Sequence, residues 1–246
     1  GCGLCSHICP GHAITMHPDS KGFLYPDILE SNCNNCTICF RMCPANNPPL
    51  NRNARPKVYA AQLKDTVQRK ASTSGGAFYA LSEAVLAQSG VVYGAVLDQS
   101  MRVIHTRADS RETVEAMRES KYVQSDMDGI YSQIEGDLKN GRPVLFSGTP
   151  CQCAAVKSCF DKTAYKNQLY LCELICHGVS SPLIWKETVA FIEKHAKKRL
   201  SGFSWRSKKI GWRGLNEEAR FDDGYTTSAR YLNKHTMLLY GESLLL

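Results

Sequence analysis

The chain has 246 residues, a formal net charge of +7 and twelve cysteines. Its length is enough for a small module and one larger domain with a hydrophobic core of its own. No apolar run approaches the roughly 20 residues that a membrane span requires, so a membrane-spanning class is not expected. Seven of the cysteines lie before residue 44. Such clustering favours metal binding in a cytoplasmic protein over disulfide bonds.

The N-terminal region, residues 1–50, contains one cysteine motif twice. The second copy is complete, with gaps of two, two and three residues and a final proline: Cys33, Cys36, Cys39, Cys43 and Pro44. The first copy keeps the same register in Cys2, Cys5, Cys9 and Pro10. We therefore expect its first cysteine upstream of Gly1. Because the sequence also ends abruptly at Leu246, we expect a piece of a longer protein, clipped at both ends.

This spacing is that of bacterial two-cluster ferredoxins, in which the fourth cysteine of each run binds the other cluster. We call the two predicted 4Fe-4S clusters cluster one and cluster two. The ligands predicted for cluster one are Cys2, Cys5 and Cys43, with the upstream cysteine. The ligands predicted for cluster two are Cys9, Cys33, Cys36 and Cys39. Structural zinc is the alternative, but zinc requires neither the third cysteine nor the Cys-Pro end.

Beyond the module, the pattern alternates between strands and helices. Residues 51–57 are rich in chain breakers and predict a linker. Strands are predicted over 58–63, 91–97, 103–106, 144–146 and 169–175, and helices over 76–88, 130–139, 150–160 and 182–198. Short strands are expected around Trp205 and Trp212. The fold class is therefore mixed, α+β or α/β: a small ferredoxin-like module precedes a layered α/β domain with parts 58–140 and 141–246.

Two turns of this domain precede predicted helices. One is Ser74-Gly75-Gly76, and the other runs from Ser147 to Gln152. Glycine lets the backbone approach a ligand closely, and free N–H groups at a helix start favour an anion. Ordinary helix capping explains both turns as well, since Thr149 suits the N-cap and Pro150 the first helical position.

Cys151 and the pair Cys176-His177 are candidate functional residues. Cys151 falls in the first turn of a predicted helix, where a helix N-terminus favours the thiolate form. Cys176 and His177 follow a predicted strand, where α/β folds place ligand-contacting groups. By contrast, Cys153 and Cys159 are predicted to pack under the helix over 150–160, and Cys172 is predicted to lie in the core.

A basic stretch lies between residues 194 and 213. It contains eight basic residues and no acidic one: Lys194, Lys197, Lys198, Arg199, Arg206, Lys208, Lys209 and Arg213. The stretch is explained equally well by a solvated face and by a dock, either for an acidic partner or for the anionic tail of a coenzyme. No nucleic-acid-binding motif accompanies the charge, so nucleic acid is not expected as a partner.

These motifs together resemble the coenzyme F420 hydrogenase/dehydrogenase beta-subunit family, in its bacterial type with an N-terminal two-cluster domain. Four sets of residues carry the resemblance: Asp19 with Gly22-Phe23-Leu24-Tyr25-Pro26, Ser74-Gly75-Gly76, Ser147-Gly148-Thr149-Pro150-Cys151-Gln152, and Cys176-His177-Gly178-Val179-Ser180-Ser181-Pro182. The resemblance implies an iron–sulfur flavoprotein oxidoreductase that passes electrons between the clusters and FAD. The final substrate would be a deazaflavin or another coenzyme, or a redox partner protein.

The resemblance also implies roles for individual residues. FAD would lie between the two turns, against Ser74, Gly75, Gly76, Ser147, Gly148, Thr149, Pro150, Cys151 and Gln152. His177 is the first candidate for a proton donor. Because the family continues beyond the point equivalent to Leu246 with further cysteines, it implies another cluster that Cys151 or Cys176 would help to bind. The competing interpretation is a non-enzymatic electron-relay or docking subunit of a larger redox complex.

Overall fold

The computed structural model describes residues 1–48, 56–209, 211 and 216–228. Most of the predicted linker lies outside these ranges, as do Trp212 and Arg213 of the predicted C-terminal features. No helix in the described ranges is long and apolar enough to cross a bilayer.

The N-terminal module contains two short helices and a hairpin. Its elements are α1 (Leu4–His7), β1 (Ile14–Pro18), β2 (Leu24–Ile28), a 3-10 helix (Glu30–Asn32) and α2 (Ile38–Met42). Strands β1 and β2 pair antiparallel with Ile14 opposite Ile28. Asp19 closes the hairpin turn, because its Oδ1 accepts hydrogen bonds from the N–H groups of Lys21 and Phe23 at 2.9 and 2.8 Å.

The strand predicted over 58–63 is wrong, since these residues form no regular secondary structure. Val58 and Tyr59 are 89% and 78% exposed, so this apolar run does not face the core. The run ends where the N–H of Leu63 donates to the carbonyl of Gly75 at 2.8 Å. The next elements are two helices, α3 (Thr66–Lys70) and α4 (Ala77–Leu86). The sequence pattern does not predict the first of these, whose N-cap is Asp65.

A four-stranded sheet forms the centre of the larger domain. In chain order the elements are β3 (Val91–Leu97), β4 (Val103–Ala108), α5 (Arg111–Glu115), α6 (Ile130–Lys139), β5 (Val144–Gly148), α7 (Pro150–Phe160) and β6 (Leu169–Glu173). The strand order is β4-β3-β5-β6. Strands β3, β5 and β6 are parallel, and β4 is antiparallel to β3. The predicted helices over 130–139 and 150–160 are confirmed at both ends.

Helices cover both faces of this sheet. On one face, Val91, Val144 and Phe146 pack with residues of α6 and α7. On the other, Val92 and Leu145 pack with residues of α4 and α5. The alternation of buried residues along β3 and β5 therefore gives the layered α/β arrangement that the sequence predicts.

A second, smaller sheet follows α8 (Pro182–Ala196) and contains β7 (Leu200–Ser204), β8 (Glu218–Phe221) and β9 (Thr226–Ser228). Its three strands are antiparallel. Trp185 of α8 packs against Phe203 and Trp205, with ring centroids 5.1 and 4.8 Å away. The helix predicted over 182–198 ends two residues early, where Lys197 takes the left-handed conformation with φ 52°.

Candidate functional site

The two cysteine motifs fold in the same way locally. The residue after Cys2 and the residue after Cys36 both take the left-handed conformation, Gly3 with φ 73° and Thr37 with φ 60°. Each is followed at once by a short helix that contains the next cysteine of its motif. The repeated spacing therefore produces a repeated backbone, as two equivalent half-sites require.

The donor set of the module fits iron–sulfur clusters. All seven cysteines before residue 44 are partly buried thiols, and none of the twelve forms a disulfide. The N–H of Ala13 donates to the sulfur of Cys9 at 3.3 Å. Such N–H···S bonds tune the potential of a cluster. Within the described residues, no three His, Cys, Asp or Glu side chains are grouped as ligands of one metal ion. Cluster ligation does not require such a group, because each cysteine binds a different iron atom.

The module is docked on the larger domain through its first helix. Leu4 is 1% exposed and belongs to the core that contains Phe146 and the buried face of α7, with Ile8 and Met42 packed against that core. The hydroxyl of Tyr131 in α6 donates to the carbonyl of Cys2 at 2.9 Å. The backbone that carries the first cysteine motif is thus held directly by α6.

The hairpin turn of the module makes a second contact. Gly22 has a φ of 86°, and a Cβ at this position would lie 2.5 Å from the Cβ of Leu183. Only glycine allows this approach in the left-handed conformation. Because Leu183 lies at the start of α8, the module contacts two separate parts of the larger domain.

The turn over 147–152 caps α7 as predicted, with Thr149 as the N-cap and Pro150 as the first helical residue. Gln152 is 6% exposed, and both the oxygen and the nitrogen of its side-chain amide form hydrogen bonds within the protein. Its Oε1 accepts from the backbone N–H and the hydroxyl of Thr149, each at 3.0 Å. Its Nε2 donates to the hydroxyl of Ser125 at 2.8 Å. Gln152 therefore positions the turn from beneath.

His105 and Ser125 complete this network, and sequence reasoning missed both. His105 is 5% exposed and stacks on Phe146 with ring centroids 5.1 Å apart. Its Nε2 lies 3.1 Å from the carbonyl of Ser147, which can only accept, so Nε2 carries the proton. Its Nδ1 then accepts from the hydroxyl of Ser125 at 2.8 Å. Burial lowers the pKa of His105 to about 4, so the ring is neutral.

The exposed candidates lie around this turn. Cys151 is exposed, with its sulfur 3.2 Å from the hydroxyl of Thr149. The loop that carries Cys176 and the exposed His177 is adjacent, because the N–H of Leu174 donates to the carbonyl of Gly148 at 3.0 Å. The sulfur of Cys176 accepts from the N–H of Gly178 at 3.3 Å.

The three remaining cysteines pack in or against the two cores of the sheet. Cys153 is buried in the α7 core, Cys159 packs against that core, and Cys172 packs against the opposite face of the sheet. Burial raises the pKa of Cys153 and of Cys159 to about 12. Burial also raises the pKa of Cys172. These thiols stay protonated, and the predicted packing of Cys153 and Cys159 under α7 is confirmed.

Helix α7, which begins at the 147–152 turn, also contacts the module. Both short helices of the module, α1 and α2, lie against it. The helix that carries Cys151 in its first turn therefore packs against both cysteine motifs.

The turn over 74–76 has a different environment. The Cβ positions of Gly75 and Gly76 would lie 2.6 Å from the carbonyl oxygen of Ala61 and 2.4 Å from Cδ1 of Leu63. Packing of the chain itself thus explains both glycines. Next to them, the buried hydroxyl of Thr73 has no hydrogen-bond partner among the described residues.

Topology brings both turns to one edge of the sheet. Since α4 leads into β3 through a short connection, the N-terminus of α4 lies at the carboxyl end of β3. The 147–152 turn lies at the carboxyl end of β5, which is parallel to β3. The two turns therefore flank the carboxyl edge from opposite faces. In open α/β sheets this edge is where ligands bind.

The structure divides the basic stretch into two groups. Lys194 and Lys197 lie at the C-terminal end of α8, and Lys198 pairs with Asp223 at 2.5 Å. Lys208 and Lys209 lie beyond β7, where Lys209 pairs with Glu218 at 3.0 Å. Among the described residues of the stretch, Lys198 and Lys209 are therefore paired with carboxylates.

Comparison with known proteins identifies the module. Residues 1–47 match the family model of the 4Fe-4S dicluster domain. No curated protein matches the chain. Among solved structures, the chain is similar to one from the F420-reducing NiFe hydrogenase complex of Methanosarcina barkeri, at 17% identity and a TM-score of 0.47. That alignment covers 72% of this chain and 62% of that one. The N-terminal module is therefore a 4Fe-4S dicluster domain, which indicates iron–sulfur electron transfer.

Proposed function

We propose that this protein is an iron–sulfur flavoprotein oxidoreductase that exchanges electrons between its clusters, FAD and a further coenzyme or substrate. One observation carries the proposal: the first cysteine motif lies against α6 and α7, and α7 begins at the turn that carries Cys151. The module is thus joined to the larger domain beside the sheet edge where α/β folds bind ligands.

The residues at this edge fit a polar cofactor. The exposed side chains of Cys151 and His177 lie on adjacent loops, and the buried hydroxyl of Thr73 lacks a partner among the described residues. When bound, FAD would allow one-electron carriers to serve a two-electron reaction. By the family resemblance, Ser74 and the backbone from Ser147 to Cys151 would contact FAD. Gln152 would keep that backbone in place.

In this function, contacts within the chain hold the module and the start of α7 in fixed positions. The contacts of Leu4 and Gly22 fix the module at two points, and the network of His105, Ser125 and Gln152 fixes the start of α7. His177 remains the proposed proton donor, and Cys151 or Cys176 the proposed ligand of a further cluster. A deazaflavin or other small redox coenzyme, or a redox partner protein, would complete the reaction.

The test is a visible spectrum of the full-length protein purified without oxygen, before and after dithionite, with iron, sulfide and extracted flavin measured on the same sample. We expect cluster absorbance that bleaches on reduction, together with bound FAD. Cys39→Ala should lower the iron content, whereas the matched variant Cys153→Ala, in the core, should leave iron unchanged. A cluster-loaded protein without any flavin would overturn the flavoprotein proposal and favour the electron-relay interpretation.

A further inference from the structure

An open cavity of about 540 Å³ lies between the C-terminal end of α3 and the strands β7 and β8. This volume is in the range of small-molecule sites. Four basic side chains and two acidic ones line the cavity: Lys70, Lys208, Lys209, Arg220, Glu119 and Glu218. Basic groups are therefore in excess around the space.

One of the acidic groups is already neutralised. Glu218 is 5% exposed, and its carboxylate lies 3.0 Å from Nζ of Lys209 and accepts a hydrogen bond from the hydroxyl of Ser207 at 3.0 Å. This ion pair leaves Lys70, Lys208 and Arg220 in the lining against the single carboxylate of Glu119.

Lys208 connects the cavity to the turn over 72–76. Its ammonium group donates to the carbonyl oxygens of Ser72, of Arg69 at 3.1 Å and of Ser74 at 3.3 Å. Burial lowers the pKa of Lys208, and the carboxylate of Glu119 opposes that shift. These contacts fix Lys208 between the cavity and the turn.

A buried hydroxyl in the lining points to a ligand. Ser204 is 2% exposed, and its Oγ has no hydrogen-bond partner among the described residues. A buried polar group without a partner is destabilising, so such groups are rare unless something else satisfies them. The neighbouring turn carries a second such group, the hydroxyl of Thr73.

We propose that this cavity binds the diphosphate of a nucleotide-type ligand. Phosphate oxygens suit the fork of Arg220 and the ammonium group of Lys70. Lys208, whose three N–H groups already donate to backbone carbonyls, contributes only its charge. The volume also leaves room for the sugar and base of such a ligand. The inference rests on the proposed function for its choice of a coenzyme as the source. The diphosphate belongs either to resident FAD or to a nucleotide coenzyme that enters and leaves.

The experiment measures ADP binding by calorimetry to the full-length protein purified without oxygen. The test variant is Lys70→Gln with Arg220→Gln, since both side chains are exposed and line the cavity. The control is Lys162→Gln with Lys186→Gln, which removes the same charge from exposed positions elsewhere. We expect the test variant to bind ADP at least about tenfold more weakly and the control to bind it like the wild type. Equal affinities in all three proteins would overturn the proposal.

ADP binding before and after removal of the flavin distinguishes the two sources of the diphosphate. The flavin content of the same samples distinguishes failure of the site from failure of the proposed function. Binding of ADP only after removal of the flavin assigns the cavity to FAD, and binding with flavin in place assigns it to a second nucleotide. If the wild type lacks flavin while the test variant still loses ADP affinity, the site stands and the flavoprotein proposal fails. If flavin and clusters are present but the test variant binds ADP as tightly as the wild type, the site fails and the proposed function stands.

Discussion

The Nε2 atom of His105 lies 3.1 Å from the carbonyl oxygen of Ser147. A side chain of the antiparallel strand β4 thus reaches past β3 to hold the end of β5, from which α7 begins. Because the same ring accepts a hydrogen bond from Ser125, and Ser125 accepts one from Gln152, one histidine fixes both sides of the turn.

The first prediction concerns the pH dependence of stability. The folded pKa of His105 is about 4, below the value of about 6.5 in unfolded chains. The contribution of neutral His105 to the free energy of unfolding is therefore fully present above about pH 6.5. It is lost as the pH falls toward 4, at about 1.4 kcal/mol per pH unit. His105→Gln should remove this dependence. Denaturant unfolding of wild type and variant near pH 7 and near pH 5 measures it.

The matched control is His195→Gln, which changes an exposed histidine. We expect the control to keep the wild-type pH dependence. If His105→Gln shows the same slope as the wild type between these two pH values, His105 does not stay neutral in the folded protein.

The second prediction concerns the coupling of Ser125 to Gln152. Ser125→Ala leaves the buried amide of Gln152 without its acceptor and should cost about 1 to 2 kcal/mol of unfolding free energy. Gln152→Ala should cost a similar amount, and the double variant should cost about 1 kcal/mol less than the sum. Ser125→Ala combined with Ser201→Ala, an exposed serine, should be additive. Additivity of the first pair would show that the two side chains act independently.

The third prediction concerns the docking of the module. Leu4→Ala should lower the unfolding free energy by about 3 kcal/mol, because the removed side chain lies in a core shared by the module and α7. It should also speed the transfer of iron to a coloured chelator. Leu29→Ala, at a position that is 58% exposed, serves as the control and should leave both quantities unchanged. Equal iron release from the two variants would contradict a shared core.

The fourth prediction concerns the contact of Gly22 with Leu183. Gly22→Ala introduces both left-handed strain and a clash with Leu183. Gly141→Ala introduces the strain alone, since Gly141 has a φ of 73° and no neighbour within 4 Å of an added Cβ. Gly141→Ala, the control, should lower the free energy of unfolding by about 1 to 2 kcal/mol. Gly22→Ala should lower it by more and should speed proteolytic cleavage between the module and the larger domain. Identical losses for the two variants would mean that the turn does not press on α8.

Local sequence signals predict some elements well. Thr149 and Pro150 define the start of α7 without help from the rest of the chain, and the predicted helix is correct at both ends. The strand predicted over 58–63 failed because a strand also needs a neighbour to pair with, which a single segment does not reveal. His105 could not be found either. No neighbouring residue in the sequence distinguishes a single histidine in an alternating strand, and its hydrogen-bond partners are 20 and 42 residues away.

The glycines show the same limit at the site. Gly75 and Gly76 predict close approach of the backbone to something, and the structure shows that the neighbour is Ala61 to Leu63 of the same chain. Sequence cannot distinguish a ligand from another segment as the cause of a glycine. For the cysteine motifs, the spacing alone predicted the two-cluster iron–sulfur module. Seven thiols at these intervals, each run closed by a proline, are typical of paired iron–sulfur clusters and of little else.

The contact between Gly22 and Leu183 has a consequence for kinetics. The hairpin holds no cysteine, yet it gives the module a contact with α8 in addition to those with α6 and α7. If FAD binds in the larger domain as proposed, these contacts set its distance from the clusters. Electron transfer between them should then need no docking step before it.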